Sequence, residues 1–213
     1  MSARENIIGR IRAALGKSAD PARNAAVKTN IQLHAPGPRP QAQWNLLERF
    51  RERALNLSSS VDEISALEQL PQAVARYLRE KNLPPQAVCW PEFSALDWAA
   101  QGISVAARAA QGNDAVGITA AFCAIAETGS LVLLSGKDTP AATSLLPETH
   151  IAVVKAERIV IDMEQTWGLL RSERAEVPRA INFVSGPSRT ADIEQTVTLG
   201  AHGPYRVHIV LIA

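Results

Sequence analysis

The chain has 213 residues, 46% of them apolar and 20% charged, with a net charge of +1. That is enough chain and enough apolar content for one packed domain with an extension, and the near-neutral balance argues against nucleic acid as a partner. No eighteen apolar residues run together, so no ordinary membrane-spanning helix is expected.

The first segment, MSARENIIGRIRAALGK, lacks the apolar stretch and small-residue cleavage site of a secretory leader. Only two cysteines occur, Cys89 and Cys123, each inside an apolar segment. They predict core positions in a reduced, cytoplasmic protein, and two thiols are too few for a four-thiolate iron–sulfur cluster. Ile7, Ile8, Ile11, Ala14 and Leu15 recur at helical spacing, which predicts a short amphipathic helix closing near Gly16. HAPGPRPQ, His34 to Gln41, is a connector that cannot propagate a helix. Residues 1–40 therefore read as an arm, and 41–213 as the α/β domain.

Within that domain, Trp44 to Leu55 predicts a helix burying Trp44, Leu47 and Phe50, and NLSSSVDEIS a weakly alternating strand. LPQAVARYLREKN reads as a helix with Pro71 in its first turn, and QAVCW as a short buried strand. From residue 115 strands dominate: Val116 to Thr119, Leu131 to Leu134, and one long strand across THIAVVKAERIVID. A surface helix over MEQTWGLLRSE, a strand over AINFVSG, a helix over SRTADIEQTVTLG and a final strand, YRVHIVLI, complete the pattern. Alternating helices and apolar strands predict an α/β fold with a largely parallel sheet covered on both faces.

Three stretches carry candidate chemistry. In SGPSRTADIE, Ser185 to Glu194, a strand runs into Gly186-Pro187, after which Ser188 and Thr190 open the expected helix. The unpaired N–H groups of such a start, its dipole and the fork of Arg189 make an anion seat. The plainer alternative is that Ser188 only caps the helix, worth about 1 kcal/mol, while Asp192 or Glu194 pairs with Arg189. His202, between Ala201 and Gly203, can titrate near neutrality, but a ten-residue helix spanning about 15 Å separates it from Ser188, so direct contact is not expected. Glu127, in ETGSLVLLSG, either sits solvated at a hairpin tip with Gly129 supplying positive φ, or offers a carboxylate beside the Thr128 hydroxyl to a ligand. No phosphate-loop motif is complete around Gly136-Lys137, where Asp138 replaces the needed hydroxyl. No G-x-G-x-x-G follows a strand, so a dinucleotide is not supported. Scattered His150, His202 and His208 have no metal-ligand spacing.

GITAAFCAIAETGSLVLLSG, LLPETHIAVVKAERIV and SGPSRTADIE…LGAHGP together resemble the lactate utilization protein C (LutC/YkgG) family over roughly residues 85–213, its LUD domain. The resemblance implies a three-layer fold like that of the NagB/RpiA/coenzyme A transferase group. It also implies a part in oxidizing L-lactate to pyruvate alongside iron–sulfur partner proteins, LutA- and LutB-like. It marks Glu127 and His202 as catalytic candidates, and Thr128, Gly129, Gly186, Ser188, Arg189, Thr190 and Asp192 as anion-binding candidates. Oxidizing lactate needs an electron acceptor that side chains do not supply. With no cofactor expected in this chain, the first expectation is a non-redox subunit binding a small carboxylate. A stand-alone enzyme on a sugar phosphate or acyl-coenzyme A, and a pure scaffold, remain the alternatives.

Overall fold

The computed structural model describes residues 2–16, 21–35, 37, 39, 43–190 and 198–213. Two compact units are present, Met1–Ala42 and Gln43–Ala213.

The first unit holds α1 (Ala3–Ala14) and α2 (Pro21–Leu33). α1 starts at a capping box: Ser2 Oγ accepts from the Glu5 N–H, and the Glu5 carboxylate accepts from the Ser2 N–H at 2.6 Å. α2 is a correction to the expected arm of one helix and a connector. Its apolar residues are too sparse to give a face, but Pro21 suits a helix start.

In the second unit, α3 (Leu46–Asn56) leads into β1 (Ser60–Ile64), then α4 (Leu70–Glu80), β2 (Gln86–Cys89), β3 (Ser104–Ala107) and β4 (Val116–Ala120). β5 (Cys123–Ile125) and β6 (Ser130–Leu134) form a hairpin, followed by α5 (Ala142–Leu145), β7 (Thr149–Lys155), β8 (Ile159–Val160), α6 (Met163–Glu173) and β9 (Ile181–Val184). β10 (Arg189–Thr190), β11 (Thr198–Leu199) and β12 (Arg206–Ile212) close the chain.

The main sheet runs β1-β12-β7-β4-β2-β3, every pair parallel. A second sheet runs β8-β5-β6-β9. β7 is a near-continuous apolar run because both its faces are covered. Ile151 and Val153 pack with Val74 and Leu78 of α4, while Ala152 and Val154 pack with Phe50 of α3 and with Leu131 and Leu133 of β6. Val132 and Leu134, on the opposite face of β6, meet Leu170 of α6. The layers are thus α4, the parallel sheet, the small sheet with α3, and α6.

The expected α/β architecture with a mostly parallel, covered sheet is present, but two local readings are corrected. THIAVVKAERIVID is two strands in different sheets, broken by the helical turn Ala156–Arg158. The helix expected over SRTADIEQTVTLG is absent at both ends: Arg189 pairs with Leu199 and Thr190 with Thr198 in an antiparallel ribbon. Asp192 and Glu194 lie outside the described residues. Among the described residues no helix is long and apolar enough to cross a membrane.

Candidate functional site

The ETGS stretch is the turn of the β5–β6 hairpin. The Gly129 N–H donates to the Ile125 carbonyl at 2.9 Å, and the Glu127 N–H to the Ile161 carbonyl at 3.0 Å. Gly129 has φ +72, and a Cβ there would lie 2.7 Å from the carbonyl carbon of Arg53 and the nitrogen of Ala54. Only glycine allows this turn to lie against the last turn of α3. Gly186, with φ +82, presses in the same way on the Leu57 carbonyl. Arg53 and Leu57 are four residues apart and share one side of α3, so the two turns dock side by side. A chain of hydroxyls joins them: Thr128 Oγ1 to Ser130 Oγ at 2.8 Å, then Ser130 Oγ to Ser185 Oγ at 2.6 Å.

The Arg189 side chain reaches the same helix end. Its Nη2 donates to the Leu57 carbonyl at 3.3 Å and to Ser58 Oγ. Ser188 is not a helix cap; its N–H donates to the Pro204 carbonyl at 2.9 Å, and its carbonyl accepts from the Gly200 N–H at 2.9 Å. With no helix at Ser188, the expected dipole and row of free N–H groups are missing there. The same ribbon brings Gly203 against Ser188, which overturns the expected separation from the His202 loop. His202 itself is exposed, and Thr190 is half-buried in β10. The structure therefore gathers Thr128, Gly129, Gly186 and Arg189 on the end of α3, with Glu127 on the first of these turns and Ser188 beside the His202 loop.

The electrostatics of this cluster are unbalanced. Among the described residues Arg189 makes no ion pair, and its Nε and Nη1 have no acceptor. Arg53 likewise has no carboxylate partner among the described residues, and its buried Nε meets no acceptor there. The carbonyl end of α3 offsets part of this charge, as the Arg189–Leu57 bond makes explicit. It does not satisfy the remaining N–H donors. A buried charged donor without an acceptor is costly. Arg53 was not visible as a candidate from sequence, where it is one of several arginines on a predicted helix.

His150 and His208 are core residues. His150 Nε2 bonds Thr119 Oγ1 at 2.8 Å, and burial pushes its pKa down to about 4. His208 stacks on Tyr77 with ring centroids 3.9 Å apart, bonds Ser60 Oγ at 2.9 Å, and is pushed down to about 4, chiefly by burial.

A family model, the LUD domain, matches residues 47–212. The match begins at α3, ahead of the segments near residue 85 where the resemblance was first legible. Lactate utilization protein C of Bacillus subtilis is 38% identical over 130 residues, covering 58% of this chain and 53% of that protein. The Bacillus licheniformis protein of the same name is 37% identical over 129 residues, with the same shares. The chain thus spans about half the length of these relatives. The Exiguobacterium protein of that name is 31% identical over 182 residues, covering 80% of this chain and 79% of that protein. A crystal structure of a DUF162 family protein from Deinococcus radiodurans shares the fold, with a TM-score of 0.58 and 21% identity, covering 82% of this chain and all of that one.

Proposed function

The chain belongs to the LUD-domain family, and from that premise we propose that it serves lactate utilization as a subunit that holds a small carboxylate while iron–sulfur partners take the electrons. The names of its relatives support the process. The observation that carries the ligand is the pair of guanidinium groups, Arg53 and Arg189, which have no carboxylate partner among the described residues and lie beside the Thr128–Ser130–Ser185 hydroxyls.

In this reading Arg189 and Arg53 grip the carboxylate, a role suited to the planar fork of arginine. Converting L-lactate to pyruvate removes two electrons and two protons. Glu127 or His202 accepts the hydroxyl proton, and the carbinol C–H bond breaks with its proton and both electrons passing to the redox centre of the LutA- and LutB-like proteins carrying the clusters. Gly129 and Gly186 hold the turns close, and Ser188 adjoins, and Thr190 lies on, the strand that carries Arg189.

The test is reconstitution. Lactate-dependent reduction of a dye is expected when the partners are combined with this protein, and little with either alone. The double variant Arg53→Ala/Arg189→Ala is expected to lose lactate and pyruvate binding in calorimetry. Wild-type protein that binds neither acid, or a double variant that binds both unchanged, overturns the reading.

A further inference from the structure

The main sheet also carries a cavity that none of the sequence candidates lines. From β2 the chain moves outward to the edge strand β3, then returns to β4, and from β4 it proceeds the other way to β7 and β12. The connections leaving the carboxyl ends of β2 and β4 therefore diverge. In open parallel sheets such a point opens a crevice, and ligands bind there. Here it holds a cavity of about 520 Å³. Trp90 and Glu92 follow β2 on one side, and Ala120 to Phe122 end β4 on the other.

The volume excludes lactate as a snug occupant. Lactate has six heavy atoms, while pockets of about 300–1,000 Å³ take ligands several times larger. The walls combine apolar surface from Ala120, Ala121 and Leu134 with charge.

Which charges remain available follows from their partners. Arg158 is fully engaged: its Nε donates to the Phe122 carbonyl at 2.9 Å, and its two terminal nitrogens hold Glu173 at 2.6 and 3.0 Å. Lys137 and Arg174 also line the cavity, and neither has a carboxylate partner among the described residues. Arg174 lies 5.9 Å over the Phe122 ring. Lys137 and Asp138 form the tip of a turn closed by reciprocal hydrogen bonds between Gly136 and Thr139 at 3.2 and 3.3 Å. Their own N–H groups have no acceptor among the described residues. This supplies charged and neutral donors of the kind that hold a phosphate.

Acceptors are present too. The Glu92 and Glu176 carboxylates line the cavity without a hydrogen bond or ion pair among the described residues. The same holds for Asp138. A purely anionic guest would meet these carboxylates unfavourably. A guest with a phosphate at one end and hydroxyl or amino donors at the other uses both sets. Carboxylates that receive ribose hydroxyls at such crevices are a familiar arrangement. Burial raises the Glu92 carboxyl above its ordinary range, with Lys155 partly offsetting this.

We propose that the crevice between β2 and β4 is a binding site for a nucleoside phosphate, with the phosphates on Lys137, Arg174 and the Lys137–Asp138 turn and the ribose hydroxyls on Glu92. The site is separate from the Arg53–Arg189 cluster: β6 runs between them, from the turn beside α3 to the Ser135–Thr139 loop. It does not depend on the carboxylate reading.

Calorimetry on the full chain tests it, with ADP, GDP, CDP and UDP in turn, and with pyrophosphate and L-lactate as separate probes. At least one nucleoside diphosphate is expected to bind one per chain. Lys137→Ala/Arg174→Ala, checked for folding by circular dichroism, is expected to weaken it and pyrophosphate at least tenfold. Glu92→Gln is expected to weaken the nucleoside diphosphate and leave pyrophosphate unchanged. Arg53→Ala is expected to alter neither. Absence of binding by all four nucleotides at millimolar concentration, or unchanged binding in the folded double variant, overturns the proposal. So does an equal loss of pyrophosphate and nucleotide in Glu92→Gln.

Discussion

The Ser130 hydroxyl oxygen lies 2.6 Å from that of Ser185, joining the β5–β6 turn to the end of β9 across 55 residues of sequence. Ser130 is buried and also meets Thr128 at 2.8 Å. Replacing it with alanine leaves two hydroxyls without their shared partner. Ser130→Ala is expected to destabilise the protein by about 1–2 kcal/mol, read as a lower urea midpoint with an unchanged slope. A midpoint equal to wild type would show that solvent satisfies both hydroxyls.

Glycine replacements separate close approach from mere flexibility. Gly129→Ala places a Cβ 2.7 Å from α3 backbone atoms at φ +72, and is expected to destabilise by about 2 kcal/mol or more. Gly168, inside α6 with nothing within 4 Å of its added Cβ, behaves oppositely. Gly168→Ala is expected to stabilise by about 1 kcal/mol, the helix-propensity difference. Thermal unfolding of the two variants side by side checks both signs.

Acid sensitivity follows from His150 and His208. Both have folded pKa values pushed down to about 4 from 6.5. Near His208, Asp62 favours the charged form and Arg76 opposes it, followed by smaller contributions from Glu80 and Lys81, but burial dominates. As pH falls below about 6.5 the unfolded chain takes up protons that the folded one refuses. Stability contributed by the neutral imidazoles is full above that pH and declines until about pH 4. Each histidine accounts for roughly 3 kcal/mol over that window. Urea midpoints at pH 7, 5.5 and 4.5 should fall in order, and a folded His150→Gln variant should show a shallower decline.

Single replacements at the arginine cluster should grade the carboxylate site. Loss of one charge-assisted contact is worth about 1.5–3 kcal/mol, so Arg189→Ala is expected to weaken lactate binding by at least tenfold. Arg53→Lys keeps the charge but loses the planar fork and its Nε donor. It should bind more weakly than wild type and more strongly than Arg53→Ala. Equal affinities for all three proteins in calorimetry would remove Arg53 from the site.

The long elements were legible because their signals are local. α4 carries its buried side chains Leu70, Val74, Tyr77 and Leu78 at helical spacing, and β7 and β12 are mostly apolar because both faces are covered. The two-residue strands β8, β10 and β11 are too short to show any period. The helix expected at Ser188 failed for a related reason. A serine after Gly-Pro suits a helix cap, but here its N–H is taken by Pro204, and ribbon pairing with Thr198 and Leu199 replaces helical bonds.

Residue order by itself determined the class of fold, the glycine turns at Gly129 and Gly186, and the family, since each rests on neighbouring residues or on a contiguous motif. The neutralisation of a given charge depends on what the chain later lays beside it, so only the tertiary structure decided that Arg158 has a carboxylate partner while, among the described residues, Arg53, Lys137 and Arg174 have none in salt-bridge range. The crevice between β2 and β4 likewise exists only because the chain reverses direction across the sheet. That reversal is a relation among distant strands, and no local stretch encodes it.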